Sequence, residues 1–533
     1  MIISIVSELY RHWLGYVLPA PLLYRHVYPA VMSMAPSYRD IDPKVKAMAM
    51  AGLALGMLMA CMDGTIVGTC GMTIARDLKG EELYSWMVTA YLLCETAMVP
   101  IAGKMSDRFG RKPLFIIGLL LFIGGSVAAG LSASMEMLIA FRAVQGLGGG
   151  IVMPVAMASV ADFYAPEDRG KIQGMLGAVF GVGSGIGPLV GGAICTYISW
   201  HWVFYINVPI AVVCFLLTVK KFPSSEAKDL KSIDYFGISV LTLLILDILL
   251  YFQWIGDEMD FLSPRSVLMI TGAAVLLLVF IHIERRAEDP VITPKLVHKR
   301  TVVLSAIYLF IMGFAMIGSL TYIAMYITAV YDYDALHCGY ALLPMVFGMM
   351  ITSMGSGMLV HRTGYRIWVI SGSVLVMGSL LIMSTLGHDS DIWILYIYTF
   401  FFGLGLGCTI STVMVAVQNV TPADEMGMTT SSVSLLRNIG ATVGTATYAM
   451  IVSNRMDILF AETEFASLAD YFGINGTGLL QLRYYPPIPK LADTIVGIFG
   501  DSVCLAFLIC GLSYVIALIL SLFMEKGYAV SEE

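Results

Sequence analysis

Five charged side chains stand inside stretches of sequence that are otherwise apolar: Asp63, Glu95, Arg142, Asp247 and Arg437. A charge at the centre of a membrane-spanning helix costs about 2.5–3.5 kcal/mol on insertion scales, so each of these needs a partner or a task. A carboxylate beside an arginine in such surroundings can carry a proton. The cation favours the charged form, desolvation favours the neutral acid, and a substrate or a change of shape tips the balance. The competing role is static: an ion pair that locks two helices, or for Glu95 in Leu92-Leu93-Cys94-Glu95-Thr96-Ala97 an interhelical hydrogen bond of the protonated acid. Asp247 could equally contact a polar neighbour or a lipid headgroup.

The elements that must position these residues follow from composition. The chain has 533 residues, 58% hydrophobic and only 13% charged, against roughly 25% charged in a soluble domain. Apolar runs long enough to cross a ~30 Å bilayer core fall near 47–72, 84–103, 113–132, 136–161, 171–198, 202–220, 233–255, 264–283, 302–329, 336–360, 367–386, 392–417, 428–453 and 497–524, which predicts an all-α integral membrane protein with fourteen spans. Of the 31 Lys and Arg, 23 fall on the side of the N-terminus, 6 on the other side and 2 within spans. By the positive-inside rule this predicts a multi-pass protein of the cell membrane with both termini cytoplasmic. The predicted organisation is an N-terminal cytoplasmic segment 1–45, a six-helix bundle 46–222, two inserted spans 223–290, a second six-helix bundle 291–526 with an outside loop 454–496, and a cytoplasmic tail 527–533. Residues 1–40 receive no transport role, and two readings stay open: an interfacial segment, or a start at Met32 or Met34. Asn475-Gly476-Thr477 reads as a chance match to a glycosylation sequon.

Depth sorts the charges. At 1.5 Å rise per residue, Asp63 lies ~24 Å up span one and Arg142 ~9 Å below the outer end of span four, which places both in the outer third. Glu95 comes out ~16 Å below the outer edge, near the midplane, and Asp247 ~9 Å below it on an inserted helix. Only Asp63 and Glu95 are therefore expected in a central cavity with Arg142 and Gln145. Arg437, in span thirteen, is assigned no acidic neighbour at its own depth, and its role stays open.

Repetition and glycine supply the remaining signals. Gly103-Lys104-Met105-Ser106-Asp107-Arg108-Phe109-Gly110-Arg111-Lys112 follows span two, and Gly357-Met358-Leu359-Val360-His361-Arg362-Thr363-Gly364-Tyr365-Arg366 follows span ten in the same topological position. A repeat displaced by eight helices implies two six-helix bundles with a peripheral inserted pair. Span five carries Gly177, Gly181, Gly183, Gly185, Gly187-Pro188 and Gly191-Gly192, spacing that allows close helix approach and, at Pro188, bending. The nine cysteines contain no C-x-x-C pair and read as small apolar side chains, with neither a disulfide framework nor a metal site expected. A net charge of −7 with no basic face argues against nucleic acid. No H-E-x-x-H, G-x-S-x-G or P-loop occurs, so no enzyme is expected.

These stretches resemble the major facilitator superfamily, and within it the fourteen-span drug:proton antiporters of multidrug efflux type, from about residue 45 to 525. Met62-Asp63-Gly64-Thr65-Ile66-Val67 with Thr73-Ile74-Ala75-Arg76-Asp77-Leu78 resembles that family's span-one motif. The Gly103–Lys112 loop resembles its most specific signature, Arg142-x-x-Gln145-Gly146 its span-four motif, and Gly183 to Gly192 its span-five antiporter motif. Trp200-His201-Trp202-Val203-Phe204-Tyr205-Ile206-Asn207-Val208-Pro209 is similar to its approach to span six. The resemblance implies proton coupling through Asp63 and Arg142. It also implies a cytoplasmic latch of Asp107, Arg108 and Arg111 within the Gly103 and Gly110 loop, and a bend at Gly187 and Pro188 associated with exporters. Gly68, Met72 and Glu95 depart from the family pattern, and His361 stands where the first loop has Asp107, which weakens the second latch.

The expected function is proton-coupled antiport that exports amphipathic or cationic compounds by alternating access, with a narrow-range exporter of one metabolite (siderophore, amino acid or peptide) as the alternative. The expected partners are a small substrate, protons and the lipid bilayer. The chain is expected to act as a monomer with no cofactor beyond the proton-motive force.

Overall fold

Glycine at positive φ marks the two places where the sequence repeat is most evident: Gly110 at φ 90° and Gly364 at φ 80° each end one long helix and begin the next. That backbone conformation is disfavoured for residues with a Cβ, so the same residue type solves the same tight corner in both halves. The computed structural model describes residues 41–80, 83–221, 234–255, 259, 263–287, 290, 299–333, 335–387, 390–472, 474, 476–483 and 489–526. The readings for residues 1–40, Asn475 and the C-terminal tail fall outside these.

The described residues form helices: α1 Pro43–Asp77, α2 Tyr84–Phe109, α3 Arg111–Gly130, α4 Met135–Phe163, α5 Pro166–Tyr197, the short α6 His201–Tyr205, α7 Asn207–Lys221, α8 Tyr235–Trp254 and α9 Pro264–Glu284. The second half continues with α10 Arg300–Val330, α11 Ala335–Thr363, α12 Tyr365–Met383, α13 Ile392–Val420, α14 Met426–Ala461, α15 Ala466–Phe472 and α16 Pro489–Phe523. Thirteen helical segments among the described residues are long and apolar enough to span a membrane, α6 and α7 together making one of them. The remaining predicted span, 428–453, lies in α14, which is 36 residues long but more polar than the others. α14 packs against α2, α10 and α16, so many of its Ser and Thr side chains face protein and several donate to backbone carbonyls, as Ser431 does to Gly427 and Ser434 to Thr430. The predicted outside loop 454–496 is shorter than expected: α14 runs on to Ala461 and α16 begins at Pro489.

Glycine also sets how closely the helices approach. In the first half Gly146 and Gly150 of α4 lie against the backbone carbonyls of Tyr91 and Glu95 in α2, and in the second half Gly403 and Gly407 of α13 lie against those of Met345 and Met349 in α11. Gly183 and Gly187 of α5 meet Leu58 and Met62 of α1, while Gly440 and Gly444 of α14 meet Phe310 and Phe314 of α10. The two halves thus repeat one packing scheme. α5 uses a second face, Gly170, Gly174, Gly177, Gly181 and Gly185, to pack along α11. α8 packs against α2 and α14, and α9 packs on α8. Only 11% of α9's apolar window is covered by protein, against 83% for α4 and α13, so α9 faces the lipid and α4 and α13 lie inside.

One expectation is corrected. Cys70 and Cys195 form a disulfide, with Cα atoms 5.9 Å apart. Both sit at the ends of α1 and α5 remote from the Lys/Arg-rich loops, and Cys195 continues the stripe Gly183, Gly187, Gly191 that holds α5 against α1. Residue spacing along the chain does not reveal such a pair, because 125 residues separate the two.

Candidate functional site

Arg142 and Gln145 lie one turn apart on α4 and so share a face. That face meets α1. Asp63 there is fully enclosed, and Arg142 is 1% exposed. Arg142 Nη1 pairs with Asp63 Oδ2 and donates to Gln145 Oε1 at 2.8 Å. Gln145 Nε2 donates to Asp63 Oδ1 at 2.8 Å, and Asn207 Nδ2 donates to the same oxygen at 2.8 Å and to Ser126 Oγ at 3.0 Å. The guanidinium lies 4.2 Å from the centre of the Tyr91 ring. A carboxylate stripped of water is here held by one cation and two amide donors, a charge-assisted network that loses its main attraction when the acid takes a proton.

The local sequence explains the placement. Ser126 fixes the start of α7 by donating to Phe204 O at 2.8 Å, which turns the first residue after the break at Ile206, Asn207, inward. No role is expected for Asn207 from sequence, because a lone carboxamide at the start of an apolar run reads as a helix cap. Tyr91, one turn before Glu95 on α2, is 1% exposed, and its hydroxyl finds no hydrogen-bond partner among the described residues.

The structure separates the other predicted members. Glu95 makes no hydrogen bond or ion pair with Asp63 or Arg142 and points past Gly149, with its Cγ 3.8 Å from where a Cβ on that glycine would stand. Its charged counterpart is Arg437. The two interact electrostatically across the bundles, which corrects the expectation that Arg437 lacks an acidic neighbour at its own depth. Arg437 lies over the Phe180 ring at 5.2 Å and donates to Asn438 Oδ1 at 3.3 Å. Asp247 faces α9 at Gly272, away from this cluster, with its Oδ2 buried and without a hydrogen-bond partner among the described residues.

At the end carrying the basic loops, Asp107 caps α14 from the other bundle: its oxygens accept from Gly427 N at 2.9 Å and Met428 N at 2.7 Å. A carboxylate at a helix N-terminus meets free N–H groups and the positive end of the dipole. Arg111 holds Asp107 in place at 2.7 Å and pairs with Asp162 at 2.9 Å. Arg108 lies beside the Phe109 ring. Gly103 leaves room for Gly427 and Ser431. In the second loop His361 is exposed and lies against its neighbour Arg362. Closure on that side comes instead from Arg169 of α5, which donates to Gln418 O at 3.2 Å and Asn419 Oδ1 at 3.4 Å on α13. Gly183 and Gly187 seat α5 on α1, and Gly191 O lies 3.2 Å from Cys70 Sγ. α5 continues as helix through Pro188.

Comparison with known proteins places this geometry. The family model described as Major Facilitator Superfamily matches residues 53–445. Multidrug resistance protein 3 of Bacillus subtilis is 32% identical over 89% of this chain and 94% of its own length. Multidrug transporter protein MdtP of the same organism is 31% identical over 83% of this chain and 84% of its own. In three dimensions the human organic anion transporter MFSD10 superposes with a TM-score of 0.60 at 13% identity, covering 90% of this chain and 100% of that one, a likeness of fold.

Proposed function

The chain belongs to the Major Facilitator Superfamily, and we propose that it is a proton-coupled antiporter that exports amphipathic or cationic compounds across the cell membrane by alternating access. The observation that carries this reading is the enclosed pair of Asp63 and Arg142, held by Gln145 and Asn207. A structural lock needs only the ion pair. Two further amide donors on one carboxylate oxygen stabilise the charged state specifically and give the group two distinct conditions, ionised and bound or protonated and released. The names of the two Bacillus relatives support the substrate class.

In this reading the basic end is cytoplasmic, as the distribution of Lys and Arg suggests. Asp107 and Arg169 seal that end, so in this arrangement the cavity is closed to the cytoplasm. A proton reaching Asp63 from outside neutralises it and weakens its hold on Arg142. The freed guanidinium stays against the Tyr91 ring, a cation–π contact that does not depend on the acid. The bundles then rock about the glycine seam between α5 and α11, and the cytoplasmic seal opens to admit substrate. Loss of the proton to the cytoplasm re-forms the pair and drives the return. The potential supplies about 2.3 kcal/mol per charge per 100 mV. A single chain is sufficient, and no cofactor is invoked.

Liposomes containing the protein test this directly. A lipophilic cationic dye is expected to move only when a pH gradient is imposed and to stop when a protonophore collapses it, with Asp63→Asn inactive in both conditions. Dye movement that survives the protonophore refutes antiport. A folded protein that moves no unrelated dye but moves a single metabolite refutes the broad substrate range.

A further inference from the structure

Glu95 and Arg437 form a second polar site, separate from the Asp63 cluster. Glu95 belongs to α2 of the first bundle and Arg437 to α14 of the second, and the helices pack against each other. Near the middle of the membrane, where lipid would surround an outward-pointing group, Glu95 is partly exposed. Its Cγ lies against Gly149 of α4, a helix enclosed by protein, so its exposure is to an internal space. Among the described residues the Glu95 carboxylate accepts no hydrogen bond and joins no ion pair. Arg437 is 7% exposed, makes one hydrogen bond to its own neighbour, and has no carboxylate within ion-pair distance among the described residues. A guanidinium has five donors in a planar fork that matches a carboxylate. Here most of that capacity is unused, while Phe180 covers one face.

Two opposite charges, poorly satisfied and too far apart to pair, are costly in an empty protein interior and complementary to a molecule that carries both signs. We propose that the space between Glu95 and Arg437 binds a zwitterionic amphiphile, its cationic group on Glu95, its carboxylate on Arg437 and its apolar body along Phe180. A simple cation satisfies Glu95 and leaves Arg437 as it was. A zwitterion bridges the two bundles, so its binding draws α2 and α14 together. This rests on the exporter reading above for its setting and narrows the substrate class within it.

A matched pair of dyes tests it: rhodamine B, which carries a xanthylium cation and a free carboxylate, and its ethyl ester, which keeps the cation alone. Equilibrium binding to the protein in lipid nanodiscs needs no gradient, so its result is independent of antiport. The wild type is expected to bind rhodamine B about tenfold more tightly than the ester, the worth of hydrogen bonds to a charged group. Arg437→Gln is expected to remove that preference by weakening the zwitterion alone, Arg437→Lys to keep part of it, and Glu95→Gln to weaken both dyes. Equal or tighter binding of the ester by the wild type overturns the proposal, as does an Arg437→Gln variant that weakens both dyes alike. Should Arg437→Gln fail to fold, the wild-type ranking decides. Transport of either dye that ignores the proton gradient refutes antiport without touching this ranking.

Discussion

At the scale of single residues, three members of the buried network were legible and one was not. Asp63, Arg142 and Gln145 declare themselves because a charge in an apolar run has few innocent explanations, and because helical spacing puts Arg142 and Gln145 on one face. Asn207 carries no charge and begins a helix, so nothing in its type distinguishes it from a capping residue. Its bond to Asp63 is charge-assisted, and such bonds contribute about 1.5–3 kcal/mol. Asn207→Ala is therefore expected to slow proton-driven transport by at least about tenfold while the protein remains folded, measured as initial dye flux in liposomes beside its circular dichroism. Arg437 teaches a different lesson. Nine residues into its predicted span, at 1.5 Å each, it stands ~14 Å from the inner edge, and Glu95, ~16 Å below the outer edge of a ~30 Å core, stands at the same depth. The sequence contained the match; what it lacked was the knowledge that α2 and α14 are neighbours.

At the scale of elements, periodicity and length placed a helix at each predicted span, since an apolar run bounded by charge has one stable answer in a bilayer, but the ends differ by up to eight residues, at α14 and α16. The exceptions have physical causes. α14 is less apolar than the other thirteen spans because protein rather than lipid surrounds it, and the apolar run at 428–453 stops eight residues short of the helix end at Ala461. The disulfide between Cys70 and Cys195 follows from two helix ends meeting in space, which spacing in sequence does not encode. Glycine stripes are visible in sequence, but only the structure shows that α5 has two, one for α1 and one for α11. A methyl at Gly150 would strike the backbone carbonyl of Glu95, whereas one at Gly124 of α3 would meet nothing within 4 Å. Gly150→Ala is expected to lower stability by about 1–3 kcal/mol, the usual cost of overpacking. Gly124→Ala should be neutral or slightly stabilising through helix propensity. Thermal unfolding of the two variants in one detergent compares them, and equal midpoints would contradict the packing scheme.

At the scale of the whole molecule, the repeat in the sequence translates into paired corners, paired glycine contacts and two bundles built to one plan. It does not translate into two equal latches. Asp107 caps α14, while His361 leaves the α5 side to Arg169, so the seal on the basic side is asymmetric. Asp107→Ala is accordingly expected to populate arrangements open at that end. Spin labels at Lys112 and Arg366, in the first turns of α3 and α12, should report a longer distance in the variant than in the wild type. An unchanged distance distribution would assign closure to the contacts at α13, those of Arg169 with Gln418 and Asn419 and of Gln418 with Met157 O.

The claim on which the account stands is that Asp63 gives up or takes a proton as cargo comes and goes. In weakly buffered solution with a pH indicator, adding a lipophilic cation to the purified protein should change the free proton concentration in proportion to the cation bound. Asp63→Asn, binding the same cation, should leave it unchanged. A variant that binds cargo and still exchanges protons as the wild type does would move the proton to another group and contradict the account.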